Sequence, residues 1–215
     1  MVLLDFQAVL FDLDGTLVNS QPAIERSVRR WAAEHGLDEE YVLARAEGRQ
    51  DADLVAEVAP DQDIEREAAR IAELEAADTT AVHAVVGARR LLDSLPHDRW
   101  AIVTSGTYEV ASARLRAAGL PRPEVFLTAD VVQHGKPHPS GYLTAADRLG
   151  FTPEECLIFE DTATGVKASV AAGIRCVGVG DDVRPAQGSE TVASISDFTS
   201  VELRHGDNAW QLVLG

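Results

Sequence analysis

Short apolar segments that alternate with helical patterns place the strongest constraint on the fold of this 215-residue chain. Each segment is an almost continuous run of aliphatic, β-branched or aromatic residues, which is typical of a parallel sheet covered on both faces. The five segments are FQAVLF (6–11), WAIVT (100–104), EVFLT (124–128), CLIFE (156–160) and RCVGVG (175–180). Helical patterns that reach a glycine lie between the later segments. The sequence therefore predicts an α/β fold with a Rossmann-like, doubly wound parallel sheet.

Residues 20–82 interrupt this alternation, because four successive helical patterns occur there without a strand candidate. In the last of them the apolar side chains share one face, and Glu75 is expected on the opposite face, toward solvent. We therefore expect an all-α cap domain at 19–82, inserted into a core domain formed by residues 1–18 and 83–215. The last 16 residues carry two apolar segments around HGDN, a pattern typical of a β-hairpin.

Composition narrows the classes of partner and the compartment. With 35 acidic and 19 basic residues the formal net charge is −16, so nucleic acid, which is bound largely through Lys and Arg, is not an expected partner. No apolar run approaches the roughly 20 residues that span a bilayer, and the N-terminus has no basic signal-peptide region, so no membrane association is expected. Cys156 and Cys176 are the two cysteines, and we expect free, buried thiols in a cytoplasmic protein rather than a disulfide. A monomer is favoured, with a dimer as the alternative.

Two aspartates follow the first apolar segment at a spacing of two residues. Since residues i and i+2 of a strand point to the same side, Asp12 and Asp14 converge at the carboxyl end of this strand, where open α/β sheets bind ligands. A turn with solvated aspartates is the simpler interpretation of an isolated D-x-D motif. An EF-hand calcium loop is excluded, because Gly15 comes one position too early and Ala23 stands where the twelfth-position glutamate belongs.

Polar groups also follow the next predicted strand and the loop beyond it. Thr104 and Ser105 precede a helix whose first N–H groups would suit an anion, although a simple Ser/Thr helix cap explains them equally well. Lys136 stands before Pro137 in HGKPHP, which places it on a stiff loop. A surface lysine is the usual interpretation, but only two of the 19 basic residues are lysines, and a compact point charge is what a phosphate site requires. The second, Lys167, fits an exposed helix face.

Two acids end the CLIFE strand. Glu160 and Asp161 suit a hard cation such as Mg²⁺, which takes one or two carboxylates together with phosphate oxygens and water. Asp161 as the cap of the following helix is the alternative. Each of these motifs has an ordinary structural explanation. Their order after successive strands (acids, hydroxyls, a lysine, then acids again) nevertheless predicts a single site for phosphate and metal.

In this order, FDLDGTLVNS, VTSGT, GKPHP and FEDTATGVKAS resemble the four motifs of the haloacid dehalogenase-like (HAD) superfamily of phosphohydrolases, and the helical insert resembles its α-helical cap. The stretches TSGT…PRPEVFLTADVVQHGKPHPSGYL and EGRQ are also similar to bacterial sugar phosphatases and to 2-deoxyglucose-6-phosphate and glycerol-phosphate phosphatases. The resemblance implies Mg²⁺-dependent hydrolysis of a small sugar or polyol phosphate through an aspartyl-phosphate intermediate.

The same resemblance implies a role for each motif residue. Asp12 would be the nucleophile and Asp14 the general acid/base. Mg²⁺ would be held by Asp12, Asp161 and the backbone carbonyl of Asp14, while Glu160 would contact these ligands rather than the ion. The phosphoryl oxygens would be bound by Thr104, Ser105 and Lys136.

The cap loop EGRQ resembles the substrate-specificity loop of the family. Gly48, Arg49 and Gln50 are therefore the implied contacts of the leaving group, with an exposed Arg49 at a helix end as the alternative. Glu47 stands where similar sequences have a histidine, which leaves the identity of the substrate open.

The sequence disfavours some other functions and leaves one of them open. A haloacid dehalogenase is disfavoured, because those enzymes lack an equivalent of Asp14. A phosphosugar mutase resembling β-phosphoglucomutase keeps both aspartates, so the sequence leaves it open. A receiver-like phosphoacceptor module also carries acids, Ser/Thr and Lys at strand ends, but receivers have no helical insert after the first strand. A binding protein without activity is disfavoured, because every expected catalytic residue type is present.

Overall fold

A six-stranded parallel sheet forms the centre of the computed structural model, which describes residues 2–180, 191–206 and 209–215. The strands of the protein, in chain order, are β1 (Val2–Phe6), β2 (Ala8–Phe11), β3 (Val18–Asn19), β4 (His83–Ala84), β5 (Trp100–Val103), β6 (Val125–Leu127), β7 (Cys156–Glu160), β8 (Arg175–Val179), β9 (Ala193–Ile195), β10 (Val201–His205) and β11 (Trp210–Leu214). The strand order of the parallel sheet is β6-β5-β2-β7-β8-β9. All five predicted strands are present, and the doubly wound α/β fold is confirmed.

Some helices cover the two faces of this sheet, and the others form the inserted cap. They are α1 (Gln21–Glu34), α2 (Glu39–Ala46), α3 (Asp51–Val58), α4 (Ile64–Ala77), α5 (Ala88–Ser94), α6 (Tyr108–Ala118), α7 (Ser140–Leu149) and α8 (Ala163–Ala172). Within the described part of the chain, no helix combines the length and the apolar character needed to cross a membrane.

The central strand β2 lies between β5 and β7 and is buried along its whole length. Val9 and Phe11 face one hydrophobic cluster, whereas Ala8 and Leu10 face the other. Phe11 stacks on Phe159 of β7 with ring centroids 5.3 Å apart. Because alternate residues enter two different cores, the strand reads as an unbroken apolar run, and each large side chain contributes about 1.5–3 kcal/mol by burial.

Helices α1–α4 form the cap, which has a hydrophobic cluster of its own. Trp31 is fully buried in this cluster beside Ile71, and its indole N–H donates to Glu67 at 3.0 Å. The chain enters and leaves the cap through an antiparallel two-stranded ribbon of β3 and β4, which the sequence pattern did not reveal. The boundaries of the cap domain at 19 and 82 stay a prediction, and the ribbon supports them.

Glu75 corrects the expectation that its side chain faces solvent. Its spacing of four from Ile71 places it on the apolar face of α4, and its side chain is only 8% exposed. This burial is tolerated because α4 packs against α6, from which Arg114 donates a hydrogen bond to Glu75 at 2.9 Å. The prediction for this residue was wrong, since the partner that neutralises it lies 39 residues away.

The predicted C-terminal hairpin is confirmed. Strands β10 and β11 are antiparallel, and β11 also pairs with β1, which gives a small sheet of order β1-β11-β10. Residues 207 and 208 of the predicted turn lie outside the described residues. Cys156 and Cys176 are free and buried as expected, and burial raises the pKa of both thiols to about 12.

Candidate active site

The turn after β2 is shaped by a close approach between Gly15 and Asp161. The backbone N–H of Asp12 still donates to the carbonyl of Phe159 at 3.0 Å, so β2 and β7 remain paired up to the site. Gly15 then adopts a left-handed φ of 85°, and a Cβ atom there would lie 1.8 Å from Asp161 Oδ2. A residue without a side chain is therefore required on both grounds. This turn brings the end of β2 against the end of β7.

Three carboxylates meet at this edge of the sheet. One oxygen each of Asp12, Glu160 and Asp161 lies within 4.8 Å of the others. The Thr16 hydroxyl donates to Asp161 Oδ1 at 3.0 Å and orients that carboxylate. Asp12 and Glu160 are 6% and 0% exposed, so both acids are removed from water. The sequence prediction that these acids converge is met by the geometry.

Both oxygens of Glu160 are already occupied by donors. Oε1 accepts from Lys136 Nζ and, at 2.8 Å, from the Tyr142 hydroxyl. Oε2 accepts from the backbone N–H groups of Asp161 and Thr162, each at 3.0 Å, and from the Thr162 hydroxyl at 3.1 Å. Glu160 therefore fixes its neighbours in place, and Thr162 rather than Asp161 caps helix α8.

Lys136 is the one ammonium group that contacts these acids among the described residues. It is 8% exposed and donates to both Asp12 and Glu160. Burial alone would lower the pKa of Lys136, but the Asp12 and Glu160 carboxylates outweigh it and raise the pKa above its ordinary value. Burial, with the neighbouring carboxylates, raises the pKa of Asp12 and of Asp161 despite Lys136. A single positive charge thus faces three acids.

This donor set fits a divalent cation. The oxygens are hard ligands of the kind that Mg²⁺ prefers, and a second positive charge would relieve the raised pKa values of Asp12 and Asp161. The cluster can therefore hold a cation of this class.

Asp14 lies on the cap side of the same site. Its Oδ1 accepts from the Ser20 hydroxyl at 2.5 Å, and its Oδ2 accepts from Arg114 Nη1 at 2.5 Å. Nη2 of Arg114 binds Glu75 of the cap. Ser20 ends the motif FDLDGTLVNS but was given no role there, and the motifs did not include Arg114 or Glu75. The one signal for Arg114 was its spacing of four from the buried Val110, which places an arginine on the apolar face of α6.

A cavity of about 140 Å³ lies between the cap and the core. The core contributes Asp12, Asp14 and Asp161 to its lining, and the cap contributes Leu43, Gly48 and Arg49. The two acids at the end of β2 therefore share one cavity with the acid after β7, and the cap closes it.

Comparison with known proteins identifies the family. The family model described as haloacid dehalogenase-like hydrolase matches residues 6–173, which include β2, the whole cap and the strands that carry the acids. The chain is a haloacid dehalogenase-like hydrolase.

Similar proteins of this family include phosphatases of small polyols. The chain is 42% identical over 206 residues to hexitol phosphatase A of Escherichia coli, which covers 92% of this chain and 95% of that protein. It is 35% identical over 188 residues to glycerol-1-phosphate phosphohydrolase 1 of Saccharomyces cerevisiae, which covers 82% of this chain and 75% of the relative. A crystal structure of a hydrolase from Pseudomonas syringae superposes with a TM-score of 0.77 at 26% identity, over 88% of this chain and 93% of that one.

In this haloacid dehalogenase-like hydrolase Thr104 and Ser105 line the cavity. Thr104 Oγ1 accepts from the N–H of Gly106 at 3.1 Å, and the Ser105 hydroxyl donates to the carbonyl of Gly48 in the cap at 3.0 Å. The cap of helix α6 is Thr107. Thr104 and Ser105 are therefore not needed as helix caps and stay available to the cavity.

Only part of the cap loop lines the cavity. Arg49 lines it and also forms an ion pair with Glu57 at 2.5 Å, which Arg45 shares at 2.9 Å. Gln50 is not part of this lining, and its amide donates instead to the carbonyl of Val132 at 3.3 Å. Of the three predicted leaving-group contacts, the structure brings Gly48 and Arg49 to the cavity and uses Gln50 to join the cap to the core.

Proposed function

We propose that this protein is a Mg²⁺-dependent phosphatase that hydrolyses a small sugar or polyol phosphate. The observation that carries the proposal is the convergence of Asp12 and Asp161 in the lining of the cavity between cap and core, where Lys136 donates to Asp12 from behind the lining. The relatives named hexitol phosphatase A and glycerol-1-phosphate phosphohydrolase 1 support the substrate class.

In the proposed mechanism Asp12 is the nucleophile. Its carboxylate attacks phosphorus, the bond between phosphorus and the sugar oxygen breaks, and an aspartyl-phosphate forms. Asp14 gives its proton to the departing alkoxide and later takes one from the water that hydrolyses the aspartyl-phosphate. The enzyme returns to its starting state with Asp14 protonated and Asp12 free.

The residues that would hold Mg²⁺ are Asp12, Asp161 and the backbone carbonyl of Asp14. When bound, Mg²⁺ supplies positive charge that offsets the buried carboxylates and the phosphoryl oxygens. Glu160 is left out of this set, because both of its oxygens already accept hydrogen bonds from protein donors. Its role is to orient Lys136 and the start of helix α8.

Thr104, Ser105 and Lys136 are the proposed ligands of the phosphoryl oxygens. Thr104 and Ser105 line the cavity, and Lys136 already contacts the Asp12 carboxylate at which phosphorus must arrive. A lysine suits this task because its compact ammonium can turn from a carboxylate to a phosphoryl oxygen without a fixed geometry.

Magnitudes show why an enclosed site is needed. Hydrolysis of a phosphate monoester requires an acceleration of up to about 10²¹-fold, which corresponds to roughly 28 kcal/mol. General acid/base catalysis supplies only about 10²–10⁴ of this. The larger part must come from positioning and from fixed charge in a cavity with little water. Closure of the cap is therefore part of the proposed mechanism.

A substrate panel tests this function. Phosphate release is measured from hexitol, hexose, pentose and glycerol phosphates, each with and without Mg²⁺. We expect release from several members, dependent on Mg²⁺ and fastest for a neutral polyol or sugar. Interconversion of sugar-phosphate isomers without net release would instead identify the mutase.

We also propose that the enzyme works as a cytoplasmic monomer. The two free, buried thiols support a reducing compartment. Sedimentation of the purified chain with and without substrate tests the monomer, and a concentration-dependent dimer would contradict it.

A further inference from the structure

Arg114 is a buried cation to which the proposed phosphatase mechanism gives no role. It lies in helix α6 of the core, and its side chain is 3% exposed. A guanidinium removed from water must be paired. Its Nη1 donates to Asp14 Oδ2 at 2.5 Å, and its Nη2 donates to Glu75 Oε2 at 2.9 Å. One side chain therefore binds both the proposed general acid of the core and a carboxylate of the cap.

We propose that Arg114 is the positioning residue for Asp14, and that Glu75 makes this positioning depend on a closed cap. The proposal rests on the phosphatase function proposed above, in which Asp14 exchanges the proton. It adds a cavity-lining residue whose described hydrogen bonds go to Asp14 and Glu75.

Two hydrogen bonds hold the Asp14 carboxylate in one orientation. Ser20 donates to one oxygen and Arg114 to the other, so rotation of the carboxylate would break a charge-assisted hydrogen bond. The planar guanidinium offers two N–H directions at a fixed angle, and Glu75 occupies the second. A lysine at this position could not hold both acids in the same fixed relation.

The dependence on the cap follows from where the two acids lie. Glu75 is on α4 of the cap, and its side chain is 8% exposed. Asp14 and Arg114 belong to the core. When the cap moves away from the core, Arg114 loses its ion pair with Glu75. The guanidinium that orients Asp14 is then held by one carboxylate instead of two. Asp14 is therefore aligned when the cap is closed over the substrate and less well aligned when the site is open to water.

Arg114 has an electrostatic role in both proton transfers of Asp14. When the bond from phosphorus to the leaving oxygen breaks, Asp14 transfers its proton to that oxygen, and Arg114 stabilises the carboxylate that remains. When water attacks the aspartyl-phosphate, the same carboxylate accepts a proton from water and the bond to Asp12 breaks. Arg114 stays protonated throughout and exchanges no proton with the substrate.

The experiment compares two substrates that differ in their need for a proton. One is the polyol phosphate with the fastest turnover, whose alkoxide must be protonated, and the other is 2,4-dinitrophenyl phosphate, whose leaving group departs as the anion. The variant is Arg114→Lys, and the matched control is Arg116→Lys, an exposed arginine on the same helix. Values of kcat/KM report formation of the aspartyl-phosphate, and pre-steady-state absorbance reports release of dinitrophenolate.

For Arg114→Lys we expect kcat/KM on the polyol phosphate to fall by about 10²-fold and on dinitrophenyl phosphate by less than about threefold. We also expect a burst of about one equivalent of dinitrophenolate, because the aspartyl-phosphate forms normally and then waits for a misaligned Asp14 to activate water. Arg116→Lys should match the wild type on both substrates. Equal losses on the two substrates without a burst would show a structural role only and overturn the proposal.

Glu75→Gln tests the dependence on the cap while preserving the side-chain shape. Glu75 lines the cavity and is linked to Asp14 through Arg114, and we expect the same substrate pattern with a loss of about tenfold on the polyol phosphate. Wild-type behaviour of Glu75→Gln would overturn the link to the cap. Failure of the wild type to release phosphate from any substrate would instead defeat the phosphatase function itself.

Discussion

Two buried clusters in this molecule have similar composition and different construction. The lysine cluster places one cation among three acids of the core, and its members are Lys136, Asp12, Glu160 and Asp161. The arginine cluster spans the cap and the core, and its members are Arg114, Asp14, Glu75 and Asp51. In each cluster burial raises the pKa of acids that a single cation only partly compensates.

The difference between the clusters separates two tasks. The lysine cluster is built from strand ends and the loops that follow them, and none of its four members belongs to the cap. A lysine there is a point charge that can exchange one oxygen partner for another. The arginine cluster exists only where α4 meets α6, and its cation is a rigid fork. The first is suited to bind phosphate and metal, and the second to sense closure.

The largest effect should come from Asp12, the proposed nucleophile in the lysine cluster. Asp12→Asn keeps the shape and removes the attacking carboxylate, so we expect kcat to fall by at least about 10³-fold on every substrate, activated or not. Phosphate release and dinitrophenolate release are measured in parallel. The control is Asp5→Asn, an exposed aspartate on β1. Substantial activity in Asp12→Asn would remove Asp12 from its assigned role.

Metal binding should distinguish the clusters next. Mg²⁺ that binds only the folded protein stabilises it by about 2.7 kcal/mol at 100 times Kd, which for a chain of this length raises the unfolding midpoint by roughly 5–10 °C. Calorimetry in EDTA and then in Mg²⁺ measures this shift. We expect Asp161→Asn to abolish the shift and Glu75→Gln to retain it. Equal loss in both variants would contradict the separation of the two clusters.

The cap loop should show a smaller effect, confined to the leaving group. Arg49 and Arg45 bind the same Glu57, but only Arg49 lines the cavity. We therefore expect Arg49→Ala to lower kcat/KM for a polyol phosphate by about tenfold, a typical value for one lost charged hydrogen bond, and to spare p-nitrophenyl phosphate. Arg45→Ala is the matched control. Equal losses on both substrates would place Arg49 outside the leaving-group site.

The smallest effect concerns the sheet beneath the lysine cluster. Because burial raises the pKa of Cys156 and Cys176 to about 12, both thiols stay protonated at pH 8 and should react with a disulfide reagent only through opening of the core. Bound Mg²⁺ stabilises the folded protein and should slow this labelling further. If labelling requires global unfolding, its rate should fall by the same factor as the unfolding equilibrium constant. Rapid labelling of the native protein at pH 8 would show that the core around these two thiols opens readily and would contradict this prediction.

The lysine cluster was predictable because its parts follow strands. Parallel strands end at one edge of a sheet, so acids after β2 and β7 had to meet there once the apolar runs were assigned. The family resemblance then gave each residue a role. The short strand β9 was missed because a serine interrupts its two apolar residues, whereas β6, which also has three residues, is wholly apolar.

The arginine cluster could not be predicted in the same way. Glu75 and Arg114 are 39 residues apart, and each looks like an ordinary charged residue of an amphipathic helix. Only the packing of α4 on α6 makes them partners. The position of Gln50 could not be predicted for a related reason, because one residue along a loop decides whether a side chain lines the cavity or bonds Val132 of the core. Its contact with the leaving group stays a prediction.

The ribbon of β3 and β4 has a mechanical consequence. Both covalent connections between the cap and the core run side by side through it, with Val18 opposite Ala84 and Asn19 opposite His83. We expect such paired connections to favour movement of the cap about one axis, without separation of any strand of the large sheet. The same pivot lies four residues beyond Asp14, whose neighbour Gly15 donates its N–H to the carbonyl of Val18. A movement of the cap would therefore be transmitted along the backbone to Asp14, the proposed proton-transfer residue.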